Sequence, residues 1–584
     1  MMAKAHLLGL AFTLAGSLAQ SKPTGEMPRV RYTLSMAQPV QGQEGPRIEM
    51  KIETAGTADG TTTFELPEES AGNRNLERGI HGLAIHDGAG KRLDVRQGRA
   101  HEWTVDHPPG AALVVTYGFG KPKAEIDTKS EDYYRPVVQR ELVHLLGSSA
   151  FLRPRHAAAA PACKVQLRWS GFQEAGWKTV SSFSADPKGC DVELPLAEFL
   201  DSVFFAGELR IHRMEIEKRE LVVAMAGQQW KFTDEAFVDL ARRVVKAERD
   251  LMRDHTVPYF LITLLPVGKH DPESRSRSLG GTGLTHSFAL FVTTNVSLEI
   301  EPGPGMSMAH LLAHELFHYW NGRVLGRVEP EQLVYWFSEG FTEFFARRAL
   351  ARAGIYSLDN ALENLNQSLA QYALSAERNA PNTRILEAFW SSREVQSLPY
   401  RRGDLVATAL DREIRVRSGG KKCLDHFFLD LMERAKAGGA KASVDSLLAD
   451  MERWTSPEFA VKMRAVLERG ETLELPADAF GPFATIEPSE LPQFEAGFDA
   501  DETRKRREVV GVVEGSAAWK AGLRDGQKLR GFAMANGDVS FPVELTIQEG
   551  TDLKKISYLP HGKGVRGQRA VRRADADAAA FMNW

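Results

Sequence analysis

Residues 314–318 read His-Glu-Leu-Phe-His, and this short run constrains the fold more than any other feature of the chain. On an α-helix, positions four apart share a face, so His314 and His318 can reach one cation together. Glu315 projects beside them, where its carboxylate can take a proton from a water held at that cation. Two neutral imidazoles and a carboxylate suit Zn²⁺ with one position left open for water or substrate. With this histidine content the bare pattern arises by chance roughly 0.03 times in such a chain, so its surroundings matter. Met308, Leu311, Leu312 and Leu316 give the segment an apolar helical face, and Gly303, Gly305 and Gly322 bracket it.

The third ligand has to come from another element. Downstream, Tyr335-Trp336-Phe337-Ser338-Glu339-Gly340-Phe341-Thr342-Glu343 begins a second apolar helix. A connection of that length lets the helix fold back and bring Glu339 to the two histidines. Glu343, one turn later, can bond the far nitrogen of a ligand imidazole, or equally stand as an exposed helix carboxylate. Asn321 belongs to the architecture of the first helix end.

At 584 residues the chain is too long for one core, and about two to four domains are expected. Its formal net charge of −4 argues neither for nucleic acid nor for an anionic membrane surface as partner, and no nucleic-acid partner is expected. Lys4 followed by the uncharged run Leu7–Ala19 and a small-x-small end before Gln20 has the layout of a secretory leader. A periplasmic or secreted protein is expected, with no integral membrane segment once the leader is removed. In an oxidising compartment, two of the three cysteines, Cys163 and Cys190, are expected to form a disulfide.

The predicted fold is multidomain α+β. After the leader (1–19), a β-rich domain is expected over 22–225, where Val30–Ser35, Ile48–Glu53, Ala112–Tyr117 and Val165–Trp169 read as short strands. A mainly helical domain is expected over 226–475. It opens with a helix capped by Thr233, then a buried strand (Tyr259–Leu265) and a glycine-rich turn into another strand (Gly280–Val292). A small strand-and-turn domain is expected over 479–575, with a strand at Val509–Val513 and a closing hairpin around His561–Gly564.

Four segments in order carry a resemblance: HELFHYWNG from His314, WFSEGFTEFF from Trp336, PYRRGDLVATALDREIR from Pro399 and GSAAWKAGLRDG from Gly515. Together they are similar to the glycyl-aminopeptidase-like family of gluzincin zinc metallopeptidases, whose members join a β domain, a thermolysin-like catalytic domain and a PDZ domain. The resemblance implies one Zn²⁺ per chain on His314, His318 and Glu339, with Glu315 as general base. It also implies that Tyr400 stabilises the oxyanion of the tetrahedral intermediate. Gly281, Gly283, Leu284 and Thr285 then line the substrate on the strand edging the cleft. Relatives carry a glutamate at the Thr285 position, the natural partner of a substrate's α-ammonium group, and a hydroxyl cannot replace that charge-assisted bond. Aminopeptidase specificity is therefore in doubt, with internal cleavage of peptide or protein substrates as the other outcome. The PDZ-like segment implies peptide capture by strand addition, with Ala496-Gly497-Phe498 nearest to a carboxylate-binding loop. The rival reading is a non-catalytic, PDZ-containing scaffold with a vestigial or structural zinc site, which would have no use for Glu315.

Overall fold

The computed structural model describes residues 4–6, 27–37, 45–70, 72–120, 125–128, 132–272, 274, 277–300, 306–439 and 441–584. Most of the leader-like segment therefore lies outside the described residues, apart from Lys4–His6, which pair in parallel with Ser278–Gly280. Among the described residues no helix is long and apolar enough to cross a membrane.

The first part is built from strands, as its alternation predicts. In Arg29–Ala37, Val30, Tyr32 and Leu34 are buried while their neighbours are more exposed. This strand lies in a six-stranded sheet between Cys163–Ser170 and Arg47–Ala55, with Ala112–Phe119 and Ile80–Asp87 beyond. Phe151, Phe199 and Phe204 close the core against it. The pairing register overturns the expected disulfide. Cys163 opposes Leu194 and Cys190 opposes Leu167 on adjacent antiparallel strands. The two cysteines are four residues out of step, roughly 13 Å at the usual rise per residue. A bridge needs Cα atoms within about 7 Å, and both cysteines are free.

The sheet beneath the site has the order Ser278–Leu284, Ser287–Val292, Tyr259–Pro266, Arg219–Met225, Arg210–Ile216, with Lys4–His6 outermost beyond Ser278–Leu284. Three of its strands thus come from before residue 226. Both faces are covered. Leu221, Val223, Ile262 and Leu290 face the helices, whereas Val222, Ala224, Leu261 and Phe291 face the small sheet that includes Leu142–Leu146 and Val203–Gly207. Burial on both sides explains the unbroken apolar run at Tyr259–Leu265. The glycine-rich stretch is itself a strand rather than a turn. A Cβ on Gly281 would lie 2.4 Å from the Phe288 ring, so glycine lets the hairpin close.

Helices pack on the inner face of this sheet. Asp234–Met252 begins where expected, with the Thr233 hydroxyl accepting from the Ala236 N–H. The motif helix Met308–Phe317 is capped by Ser307, and Gly340–Arg352 and Arg393–Arg417 cross beside it.

The last part differs from expectation in two places. Val509–Val513 joins no ladder, because its backbone bonds to loops: Val509 N–H to Gln527 O at 2.8 Å and Val513 N–H to Gly497 O at 2.9 Å. After Ala496-Gly497-Phe498 the chain turns into a helix, Ala500–Arg506. His561–Arg572 does not close a hairpin with the preceding strand but pairs with Ala484–Phe494. Ala570 and Ile486 of that ladder belong to the large helical core, and the Asn366 side chain bonds both backbone groups of Ala570. Burial against the helices draws the strand away from its neighbour.

Mass spectrometry of the unreduced protein should find Cys163 and Cys190 as separate thiols. A peptide pair linked through them would mean that the strand register is different.

Candidate metal centre

His314 lies in the last turn of the motif helix, and His318 is its C-cap. The chain then winds through Tyr319–Val324 and returns by a short turn, Tyr335–Ser338, to Glu339 and the helix Gly340–Arg352. Asn321 holds that return in place. Its amide donates to Phe337 O at 3.0 Å, Ser338 O at 3.2 Å and Thr342 Oγ1 at 3.2 Å, which fixes the backbone on both sides of Glu339.

Three acceptors converge as a result. His314 Nε2 and His318 Nε2 are 3.2 Å apart, and Glu339 Oε2 is 3.4 Å from the first and 3.3 Å from the second. A tetrahedral ion with bonds of about 2.0–2.1 Å spaces its ligands about 3.3–3.4 Å apart. All three residues are buried, and Glu339 Oε2 has no hydrogen-bond partner among the described residues. Lone pairs crowded this closely away from water need a positive centre between them. The donor set fits zinc.

The electrostatics agree with that fit. Burial opposes charge on the His314 imidazole, but the Glu339 and Glu343 carboxylates beside it outweigh burial and favour positive charge there. Burial and Glu339 push Glu315 up to about 8, against the opposing influence of His314. Its Oε2 lies 3.3 Å from the Gly283 nitrogen, so the strand Ser278–Leu284 and the carboxylate face each other.

Tyr400 comes from the helix Arg393–Arg417, and its buried ring stacks on His314, with centroids 5.9 Å apart. Gly403, one turn on, explains the Tyr-x-x-Gly spacing. A Cβ there would lie 1.8 Å from Trp336 O, and one on Gly340 would lie 2.2 Å from Gly403 Cα. Backbone touches backbone, and this draws Tyr400 and Glu339 into one site.

Of the edge-strand residues, Gly283 alone is bonded to the central group. The carbonyl of Gly281 accepts from the Tyr134 hydroxyl at 3.2 Å, and Leu284 belongs to the core behind the sheet. Thr285 is buried, its hydroxyl donating to Glu198 O at 2.8 Å. Arg323 donates to the same hydroxyl at 2.6 Å and pairs with Asp201. A guanidinium therefore stands beside Thr285.

Glu343 is fully engaged rather than exposed, with His310, His314 and Arg401 all within 3.4 Å. Sequence reasoning missed His310, Asp201 and Arg323. His310 lies four residues before His314, so the helical period itself marks it. Nothing local in the sequence marks Asp201, which arrives from a distant loop.

Residues 307–387 match the family described as M61 glycyl aminopeptidase, and residues 31–193 match the Peptidase M61 N-terminal domain. No curated protein matches the chain. Among solved structures, an aminopeptidase N family protein from Idiomarina loihiensis superposes with a TM-score of 0.67 at 16% identity, covering 95% of this chain and 99% of that one. An M1 zinc metallopeptidase from Deinococcus radiodurans gives a TM-score of 0.46 at 16% identity, over 77% of this chain and 96% of that one.

If the helices touch at Gly403, Gly403→Ala should destabilise the fold by roughly 1–3 kcal/mol, as overpacking does. Urea unfolding measures it, and an unchanged midpoint would mean that the contact is not made. Over residues 31–193 and 307–387 the chain is similar to the M61 peptidase family, and its fold is shared with an aminopeptidase N family protein.

Proposed function

We propose that this protein is an exported zinc metallopeptidase that hydrolyses peptide bonds. The observation that carries the reading is the convergence of His314, His318 and a Glu339 oxygen that has no hydrogen-bond partner among the described residues, beside Glu315. Zinc, when bound there, supplies Lewis-acid chemistry that activates water and polarises a carbonyl.

The chain's own groups supply the rest. Glu315, raised by burial, accepts the proton of the attacking water and passes it to the leaving amine. The Tyr400 hydroxyl donates to the oxygen that becomes negative in the tetrahedral intermediate. The edge strand at Gly283 lies against Glu315 and orients the substrate backbone. The leader-like residues 1–19 support export to the periplasm or beyond.

Specificity for a free N-terminus is weak in this reading. Thr285 offers no charge, and the nearby Asp201 carboxylate is already paired with Arg323. An ammonium group would have to displace a guanidinium to gain that partner.

Glu315→Gln should keep zinc, because no ligand is lost, while turnover falls by orders of magnitude. Metal analysis with single-substrate kinetics decides this, and normal turnover in a zinc-loaded variant would overturn the role of Glu315. Tyr400→Phe should lower kcat with KM nearly unchanged, because its bond is made mainly in the transition state. On a library of peptides with free and acetylated N-termini, cleavage of both sets is expected. Strict dependence on the free amine would refute the specificity reading.

A further inference from the structure

Behind His314 runs a line of buried polar groups that the proposed reaction does not use. His310 sits one turn before His314 on the motif helix and is buried. Its Nε2 lies 3.0 Å from Glu343 Oε2, and its Nδ1 lies 3.3 Å from the Tyr356 hydroxyl. Glu343 Oε1 in turn lies 3.3 Å from His314 Nδ1. Among the described residues, neither of those last two atoms has a hydrogen-bond partner elsewhere.

We propose that His310 is a positioning residue for His314, acting through Glu343 and held in turn by Tyr356. The proposal rests on the reading of His314 as a zinc ligand. The protons fit the line in one consistent order. The Tyr356 hydroxyl donates to His310 Nδ1, His310 Nε2–H donates to Glu343 Oε2, and His314 Nδ1–H faces Glu343 Oε1. His314 is thereby fixed in the tautomer whose bare Nε2 faces His318 and Glu339.

The need for His310 comes from Arg401. Its guanidinium approaches the same Glu343 Oε2 at 3.4 Å, from the helix that carries Tyr400. A carboxylate bonded on one side only by an arginine would be drawn toward it and away from His314. His310 balances that pull with a short bond from the opposite helix.

His310, His314 and Glu343 also form a compact buried donor set, with ligand atoms within 4.8 Å of one another. A second cation there would sit beside the Arg401 charge with little water to screen it. The geometry points to a hydrogen-bonded support, not to a second metal site.

Zinc stoichiometry and affinity test this, by competition with a chromogenic chelator in the full chain. His310→Leu should bind zinc roughly tenfold more weakly, at the lower end of outer-shell effects. His310→Gln, whose amide can still donate to Oε2, should recover part of the loss. In a Glu343→Ala background, His310→Leu should change nothing further, which a merely structural role would not produce. Tyr356→Phe, a smaller change that keeps the buried ring, should weaken zinc in the same direction and also be silent without Glu343. It keeps the idea testable if His310→Leu does not fold. Wild-type affinity in both His310→Leu and Tyr356→Phe, or an undiminished loss without Glu343, would overturn the proposal. So would two zinc ions in the wild type with one lost in His310→Leu. A wild type that binds no zinc, or binds it as well in His314→Ala, would overturn the metal reading and this proposal with it.

Discussion

The site depends on a contact that contains no functional group. Gly340 and Gly403 bring two helices so close that a methyl group on either would collide with backbone. Glu339 immediately precedes the first glycine, and Tyr400 lies one turn before the second. Their shared location is a consequence of helix separation, set by the absence of two side chains. The approach is locked by an ion pair between the same helices, in which Arg347 meets Asp404 with bonds of 2.6 and 2.9 Å, both residues buried. The bidentate geometry satisfies groups that would be costly to bury alone.

The charges around the centre follow the same logic at larger scale. Glu339 and Glu343 are both buried, one facing the converging histidine nitrogens and the other facing His310, His314 and Arg401. Burial opposes their ionisation, yet the neighbouring imidazoles and guanidinium hold both below the ordinary carboxylate range. Negative charge concentrated among buried side chains would favour a divalent cation there.

The sequence made legible what is periodic along one element. The shared face of His314 and His318, the apolar face of their helix and the Thr233 cap all follow from helical spacing, and the strands at Val30, Ile48 and Val165 follow from alternation. What escaped depends on register or on distant partners. Cys163 and Cys190 stand on neighbouring strands, and only the pairing register separates them. The stretch Val509–Val513 has strand-forming residues, but among the described residues it enters no ladder. The change of pattern near Thr233 marks where a helix starts, whereas the sheet it packs on also takes in Arg210–Ile216 and Arg219–Met225 from before it. Tyr-x-x-Gly was readable as a motif, and its reason became visible only with the helix that touches it.

The sheet beneath the centre is covered on its outer face by side chains that precede it in the chain. Val180, Val203 and Phe205 lie against Leu261, Ala289 and Phe291. During synthesis the covering layer leaves the ribosome first, and domains tend to fold in that order. The apolar face of the later sheet is therefore met by a surface already in place. In the reverse order, the buried strand Tyr259–Pro266 would wait with one side open to other chains. The N-terminal half thus offers a packing surface to the half that contains His314, His318 and Glu339, and the two sequences are tied through a shared core.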